Sequence, residues 1–187
     1  VIPFSSWSIT THGAVIRDAR GNFLDAWRQR MLNALTPYAT QLEQLQSCCM
    51  QAFSQFKVDG WARINREYGD VPVYLVMKHR NSQRISDLYQ IADWVAAELD
   101  LTGFYRHQND NNVAWLPECV NKGAAVQYLL TELISRYGPR PILGFGDSLS
   151  DYAFLQHCHW WGMPSDSQLD RHIRTELTVT TAKGTSS

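Results

Sequence analysis

The sequence has no excess of either charge. Across 187 residues, 17 Lys and Arg stand against 18 Asp and Glu, a formal net charge of -1, and no long basic run occurs. That excludes the electrostatic footprint of sequence-independent binding to nucleic acid or an anionic membrane surface, so any phosphate group must be met locally. No apolar stretch approaches the roughly 20 residues needed to span a bilayer, and no basic segment leading into an apolar one opens the chain as a secretory leader would. Cysteine is scarce. Cys48, Cys49, Cys119 and Cys158 include one adjacent pair and no Cys-x-x-Cys spacing, which argues against a zinc knuckle and against a small disulfide scaffold. A soluble protein of the reducing cytoplasm is expected, with no internal repeat and no low-complexity segment.

What is present fits a packed globular chain. Hydrophobic residues make up 44% and charged residues 19% of 21.4 kDa, enough for one ordinary domain or for a compact domain carrying a large insertion. The opening is abrupt, because Val1 precedes a short segment that runs into His12-Gly13-Ala14 with no element before it. An N-terminal portion of the natural domain is therefore expected upstream, the plainer alternative being a trimmed start.

Periodicity and turn chemistry give the elements. Short strands are predicted over 7–10 and 14–17, with Asp18, Gly21 and Asn22 reversing the chain before Phe23. Trp27, Met31, Leu32 and Leu35 recur at helical spacing. Leu42 and Leu45 continue it beyond Thr36-Pro37, which should break or restart the helix. Strands follow over 62–65 and 71–79, Pro72 confining the second to a sheet edge or a strand start. Ile85, Leu88, Ile91, Ala92, Val95 and Leu99 trace one helical face, with Ser82 as its N-cap. A loop is predicted at 109–112, a strand over 113–116, a helix with Val126, Leu129, Leu130, Leu133 and Ile134 on its apolar face, and a second strand over 142–145. Read as one βαβ unit, those last three imply parallel strands and a ligand crevice at their carboxyl ends. The tail 183–187 is expected to fray.

The most informative segment is 142–151. An apolar run delivers Asp147 to the sheet edge, Gly146 permits a tight backbone there, and Asp151 follows one helical turn later. Paired carboxylates are hard oxygen ligands suited to magnesium; the plainer alternative is that both cap the next helix and pair with neighbouring cations. Asn121-Lys122-Gly123 starts the preceding helix, and a βαβ crossover would bring Lys122 to the same sheet end. A lysine there can hold a phosphoryl oxygen or balance a carboxylate cluster, though an isolated one is more often simply solvated.

Together these segments resemble the haloacid dehalogenase-like superfamily. Lys122 in Asn-Lys-Gly-Ala-Ala resembles the family's third motif, and residues 146–151, Gly-Asp-Ser-Leu-Ser-Asp, resemble its fourth, the GDxxxD form. Upstream, residues 9–24 are similar to the Cof-type, sucrose-phosphate-phosphatase-like branch, in which an Asn-Gly-Ala strand leads into an inserted cap. The resemblance implies a Rossmann-like, three-layer α/β core, incomplete at its N-terminus, with an α/β cap: core at 1–20 and 113–187, cap at 21–112. It implies hydrolysis of a phosphomonoester of a sugar or similar small metabolite through an aspartyl-phosphate intermediate, with Mg2+ as cofactor. Asp147 would ligate the metal, Asp151 would support that site directly or through water, and Lys122 would neutralise nucleophile and phosphate charge.

The family's first motif, DxDxT, carries the nucleophilic aspartate and the general acid, and occurs nowhere in the sequence; nor is the second motif's phosphate-binding Ser or Thr recognisable. The chain is expected to be a fragment lacking the nucleophile and inactive alone. Two smaller departures are His12, where relatives commonly carry Asn, and 162–165, Gly-Met-Pro-Ser, where a Gly-Asn-Ala-like turn is usual. An inactive remnant or a sugar-phosphate-binding module is the non-enzymatic alternative. Residues 145–150 also match the opening block of the GDSL esterases, which would make Ser148 an acyl nucleophile. That block normally starts its domain and needs a distant downstream Asp-x-x-His, whereas Asp170-Arg-His172 has the wrong spacing.

The remaining conspicuous residues get plainer readings. Adjacent His157, Cys158 and His159 point to opposite faces of an extended strand and are not expected to share a metal. Trp160 and Trp161 are expected in the core. Lys78 and Arg80, ending a cap strand, could reach a sugar or phosphate, though a solvated strand end is the simpler expectation. A small phosphorylated metabolite is the expected partner, with neither nucleic acid nor membrane.

Overall fold

A computed structural model of the protein describes residues 7–109 and 111–184. The elements in chain order are β1 (Ser8–Thr10), β2 (Val15–Arg17), α1 (Asp25–Leu35), α2 (Ala39–Gln55), β3 (Gly60–Glu67), β4 (Val71–His79), α3 (Ile85–Glu98), β5 (Phe104–Asn109), β6 (Asn112–Pro117), α4 (Lys122–Tyr137), β7 (Leu143–Phe145), α5 (Tyr152–Leu155), β8 (Trp160–Gly162) and α6 (Gln168–Gly184). The architecture is mixed α/β. Among the described residues, 17–120 form one compact unit, and 7–16 with 121–184 form the other.

The first unit is built on a four-stranded antiparallel sheet in the order β3-β4-β6-β5. Pairing of Ala62 with Met77, Ile64 with Leu75, Leu75 with Trp115 and Met77 with Val113 puts these apolar side chains on one face. There they join Leu42, Leu45, Cys49 and Ala52 of α2 and Leu88, Ile91, Ala92 and Val95 of α3 in a single core. The helical spacings read from the sequence are the ones used. Thr36-Pro37-Tyr38 forms a 3-10 turn between α1 and α2, where a proline lacking its N–H costs little. Pro72 opens β4 opposite Arg66, beside a register shift between Asn65 and Arg66. Asn81, rather than the predicted Ser82, caps the turn before α3, accepting from the Gln83 N–H at 3.0 Å.

The structure corrects the predicted βαβ unit. Strand β6 pairs antiparallel with β4 and β5, so it shares no sheet with β7, which pairs parallel with β8. The cause is local: Asn109 Oδ1 accepts the N–H groups of Asn111 and Asn112, each at 3.1 Å. The stretch taken for a loop is thus a tight hairpin turn, and a turn this short admits only antiparallel neighbours. Asp110 lies outside the described residues, as do 1–6 and 185–187; of the tail expected to fray, Lys183 and Gly184 belong to α6.

In the second unit, β1 pairs with β2, α4 carries Ala125 and Leu129 buried, and α5 contributes buried Leu155. Ile134, predicted on the apolar face of α4, is 43% exposed. Trp160 and Trp161 are corrected from core to surface at 61% and 39% exposure, with Leu143 at 62% and Phe145 at 73%. All four lie on the parallel pair β7–β8, a kind of sheet that is ordinarily covered on both faces. Two three-residue strands have too little neighbouring chain to cover them.

The antiparallel core generates a stability expectation. Leu75→Ala, at a fully buried position of β4, should lower unfolding free energy by about 2–5 kcal/mol in urea titrations, because the cavity cannot fully collapse. Met50→Ala, at a 47% exposed position of α2, should stay within about 0.5 kcal/mol.

Candidate active site

Three segments of the second unit build the site. The first is the N-terminus of α4, where Asn121 is the N-cap and accepts from the Ala124 N–H at 3.0 Å. This fixes the direction in which Lys122, the first helical residue, leaves the backbone. The second is the turn Thr11–Gly13. Gly13 lies so close to the peptide joining Asn121 and Lys122 that a Cβ there would fall 2.4 Å from the Asn121 carbonyl oxygen. The third is the loop from Gly146 to Asp151 between β7 and α5. A Cβ at Gly146 would meet the Asp151 Cβ at 2.6 Å, so glycine lets this loop fold onto the carboxylate.

Lys122 Nζ donates to Asp151 Oδ1 at 2.7 Å and to Ser150 Oγ at 3.2 Å. Asp151 Oδ2 accepts the backbone N–H groups of Asp147 and Ser148, each at 3.1 Å. Ser148 Oγ and Ser150 Oγ are 2.9 Å apart. Asp151 is 7% exposed. Burial alone would raise its pKa, but the Lys122 ammonium and the Ser148 amide and hydroxyl hold the carboxyl well below the usual carboxylate range. It is an anion whose charge is spent on the protein.

Asp147 is different. Its side chain is exposed, and among the described residues no cation or donor engages its carboxylate. Its backbone carbonyl accepts from the Leu169 N–H at 3.0 Å, and Gln168 Oε1 accepts from the Leu149 N–H at 3.1 Å, so the start of α6 pins the loop while the carboxylate stays available. The two aspartates seen in the sequence as a pair thus divide: Asp151 organises the loop, and Asp147 remains open.

Sequence reasoning missed Ser150, Asn121 and the Thr11–Gly13 turn. The spacing Ser148-x-x-Asp151, that of a helix capping box, was the available signal for the way Asp151 reaches back to the Ser148 N–H. Nothing in the pattern marked Thr11 and His12, which both hold φ of 54°, a left-handed region unusual for a β-branched residue. Lys78 and Arg80 belong to the other unit, at the end of β4, where Arg80 Nε pairs with Asp59 at 3.1 Å. His159 Nδ1 accepts from the Ile142 N–H at 3.1 Å and Cys158 Sγ lies 3.8 Å from the Phe154 carbonyl. Among the described residues no three His, Cys, Asp or Glu side chains cluster as metal ligands, and no helix is long and apolar enough to cross a membrane.

No family model matches the sequence, and no curated protein matches it. Similar solved structures include a trehalose-6-phosphate phosphatase related protein, 15% identical over 92% of this chain and 72% of its own, with a TM-score of 0.49. Another is the C-terminal domain of trehalose-6-phosphate phosphatase from C. albicans, 22% identical over 78% of this chain, with a TM-score of 0.48; the alignment spans 49% of that chain, about half its length. A third is the sucrose-phosphatase of Synechocystis in complex with sucrose and phosphate, 14% identical over 91% of this chain and 72% of its own, TM-score 0.46.

The depressed pKa of Asp151 fixes the sign of a pH effect. A folded value below the unfolded one of about 3.9 contributes stability that is present above that pH and lost as pH falls through the folded value. Urea unfolding of the wild-type chain should therefore weaken progressively below about pH 4. Asp151→Asn should be less stable at pH 7 and show a flatter acid limb; an unchanged acid limb would show that the Lys122 contact contributes nothing to folding.

Proposed function

We propose that this site is the charge-handling part of a magnesium-dependent phosphomonoester hydrolase of the haloacid dehalogenase type, acting on a sugar phosphate or similarly small metabolite. The observation that carries the reading is the junction of Lys122 with Asp151 and Ser150 at 2.7 and 3.2 Å, on a loop that leaves the Asp147 carboxylate without a protein partner among the described residues. A structural ion pair alone would explain Lys122 and Asp151. It would not explain an unpaired carboxylate held four residues away by backbone contacts.

The residues fit a divalent cation as far as they go. Asp147 offers a hard anionic oxygen, and Asp151, bound to Lys122 and two amides, would act through water. Water and oxygens from outside these residues would complete the coordination. Bound there, Mg2+ would supply charge stabilisation for the phosphoryl group. Lys122 would balance anionic charge at the reacting end, held in register by Asp151 and Ser150, and the Thr11–Gly13 turn would fix the α4 N-terminus beside it.

In this proposal, residues 7–16 and 121–184 are the core and 17–120 the cap, so that β6 goes with the cap. Asp147 and Asp151 are committed to metal and loop, which leaves the nucleophile to an aspartate these residues do not supply. The exposed Leu143, Phe145 and Trp160, and a β7 edge with no strand partner other than β8 among the described residues, support its arrival on a further strand beside β7. The cytoplasmic setting belongs to the same reading, as does the chain's inactivity alone, for which a remnant or sugar-phosphate-binding role is the non-enzymatic counterpart. The esterase reading has less support, because Ser148 Oγ meets Ser150 Oγ and no histidine hydrogen-bonds it among the described residues.

Hydrolysis of an aryl phosphate with Mg2+ tests the proposal. The chain alone should show no turnover; rates in the enzymatic range of about 1–10³ per second would mean that the nucleophile lies within it. In a protein that also carries an upstream DxDxT segment, Lys122→Met and Asp147→Asn should each lower turnover by roughly 10²–10³, the second together with magnesium dependence, while Ser148→Ala has the smaller effect. Abolition by Ser148→Ala with indifference to Asp147→Asn and to magnesium removal would establish the esterase instead.

A further inference from the structure

The 17–120 unit holds two arginines on one aromatic pair. Phe23 and Tyr68 have ring centroids 5.1 Å apart. The Arg17 guanidinium carbon lies 3.8 Å from the Phe23 centroid, and that of Arg28 lies 5.6 Å from Phe23 and 5.9 Å from Tyr68. Such contacts orient a guanidinium by its flat face and leave its in-plane donors for other partners.

Neither arginine has a carboxylate partner among the described residues. Arg17 spends one donor on the Gly21 carbonyl at 3.0 Å, and the Arg28 Nε–H is shut off from water with no acceptor. Elsewhere in the same unit Arg66, Arg80, Arg84 and Arg106 each pair with an acid: Glu43, Asp59, Asp87 and Asp93. Asp18, the acid next to Arg17, is committed to its own turn, accepting from the N–H groups of Arg20 and Asn22 and from Asn22 Nδ2. Glu67 is the carboxylate whose field reaches Tyr68.

Tyr68 is held there at a cost. Its φ is 57° in the turn between β3 and β4, followed by Gly69 at 102°, and left-handed backbone at a residue with a bulky side chain is strained. Burial pushes its phenol up to about 12, with Glu67 adding and the two arginines subtracting, so at neutral pH it is a neutral hydroxyl and adds no negative charge.

We propose that Arg17 and Arg28, carried on the Phe23–Tyr68 pair, bind the phosphate group of a small ligand. A tetrahedral dianion can accept from two guanidiniums at once, whereas a neutral sugar offers no charge to balance them. This site is made entirely of residues from the 17–120 unit and does not depend on the hydrolase reading.

The test is calorimetric titration of inorganic phosphate at low salt into the Lys122→Met protein, which removes the other cation proposed to meet phosphate. Saturable millimolar binding is expected, weakened about tenfold or more when both arginines become glutamine and unchanged in Arg63→Gln, whose guanidinium lies 5.9 Å from the Trp61 ring centroid. Circular dichroism checks folding. Should the double variant unfold, Arg28→Lys, which keeps charge but not the planar fork, should still bind more weakly. Absence of saturable binding, affinity indifferent to these substitutions, or acetate binding as tightly as phosphate would each overturn the assignment.

Discussion

The second unit depends on one buried carboxylate. Asp151, 7% exposed, can remain an anion only because Lys122 and two loop amides meet its oxygens; a lone buried carboxylate would protonate or open the fold. That requirement dictates its surroundings. The loop must curl so that the Asp147 and Ser148 amides converge, Gly146 must lack a Cβ for the curl to close, and α4 must begin where a lysine reaches across. The ion pair joins residues 29 apart in sequence, so it ties the α4 start to the loop that follows β7. The charge balance of the loop is thus part of the fold itself.

The contrast between the two aspartates follows from local geometry. Both belong to one short loop, yet Asp151 closes the 3-10 turn Leu149–Asp151 that leads into α5 and points back to the amides, while Asp147 precedes that turn and is exposed to solvent. The sequence spacing announced that both carboxylates would share a loop, since an apolar run ending in Gly-Asp and a second Asp four residues on admits few arrangements. It could not announce which would be neutralised, because that depends on Lys122, supplied by another element. The lysine's own placement was reasoned from a crossover within one parallel sheet, and β6 proves to lie elsewhere.

Legibility tracked how local the cause was. The helical faces of α2 and α3, the break at Pro37 and the turn at Asp18 follow from residues within a few positions of one another, and the structure has them. The strand character of β6 is plain in the sequence but its sheet is not, because pairing partners are a non-local property and the hairpin chemistry of Asn109 and Asn112 resembles that of a loop. Trp160 and Trp161 were misjudged for a related reason. Hydrophobicity says that a side chain gains from burial, but cover has to come from neighbouring elements, and the short parallel pair β7–β8 has few.

The left-handed turn at Thr11 and His12 is a second constraint on the same helix start. Two consecutive non-glycine residues at φ of 54° are each strained by an amount comparable to a good hydrogen bond, and Gly13 follows at 98°. A turn of this kind persists only where surrounding contacts determine it. One such contact is the close approach of Gly13 to the Asn121–Lys122 peptide. The Ala14 N–H, donating to the Thr11 carbonyl at 3.0 Å, closes the turn. The strain therefore sits against the helix start that carries Lys122, and relaxing it would move the lysine relative to Asp151. The backbone irregularity and the buried ion pair are two sides of one constraint, the fixed position of a single ammonium group.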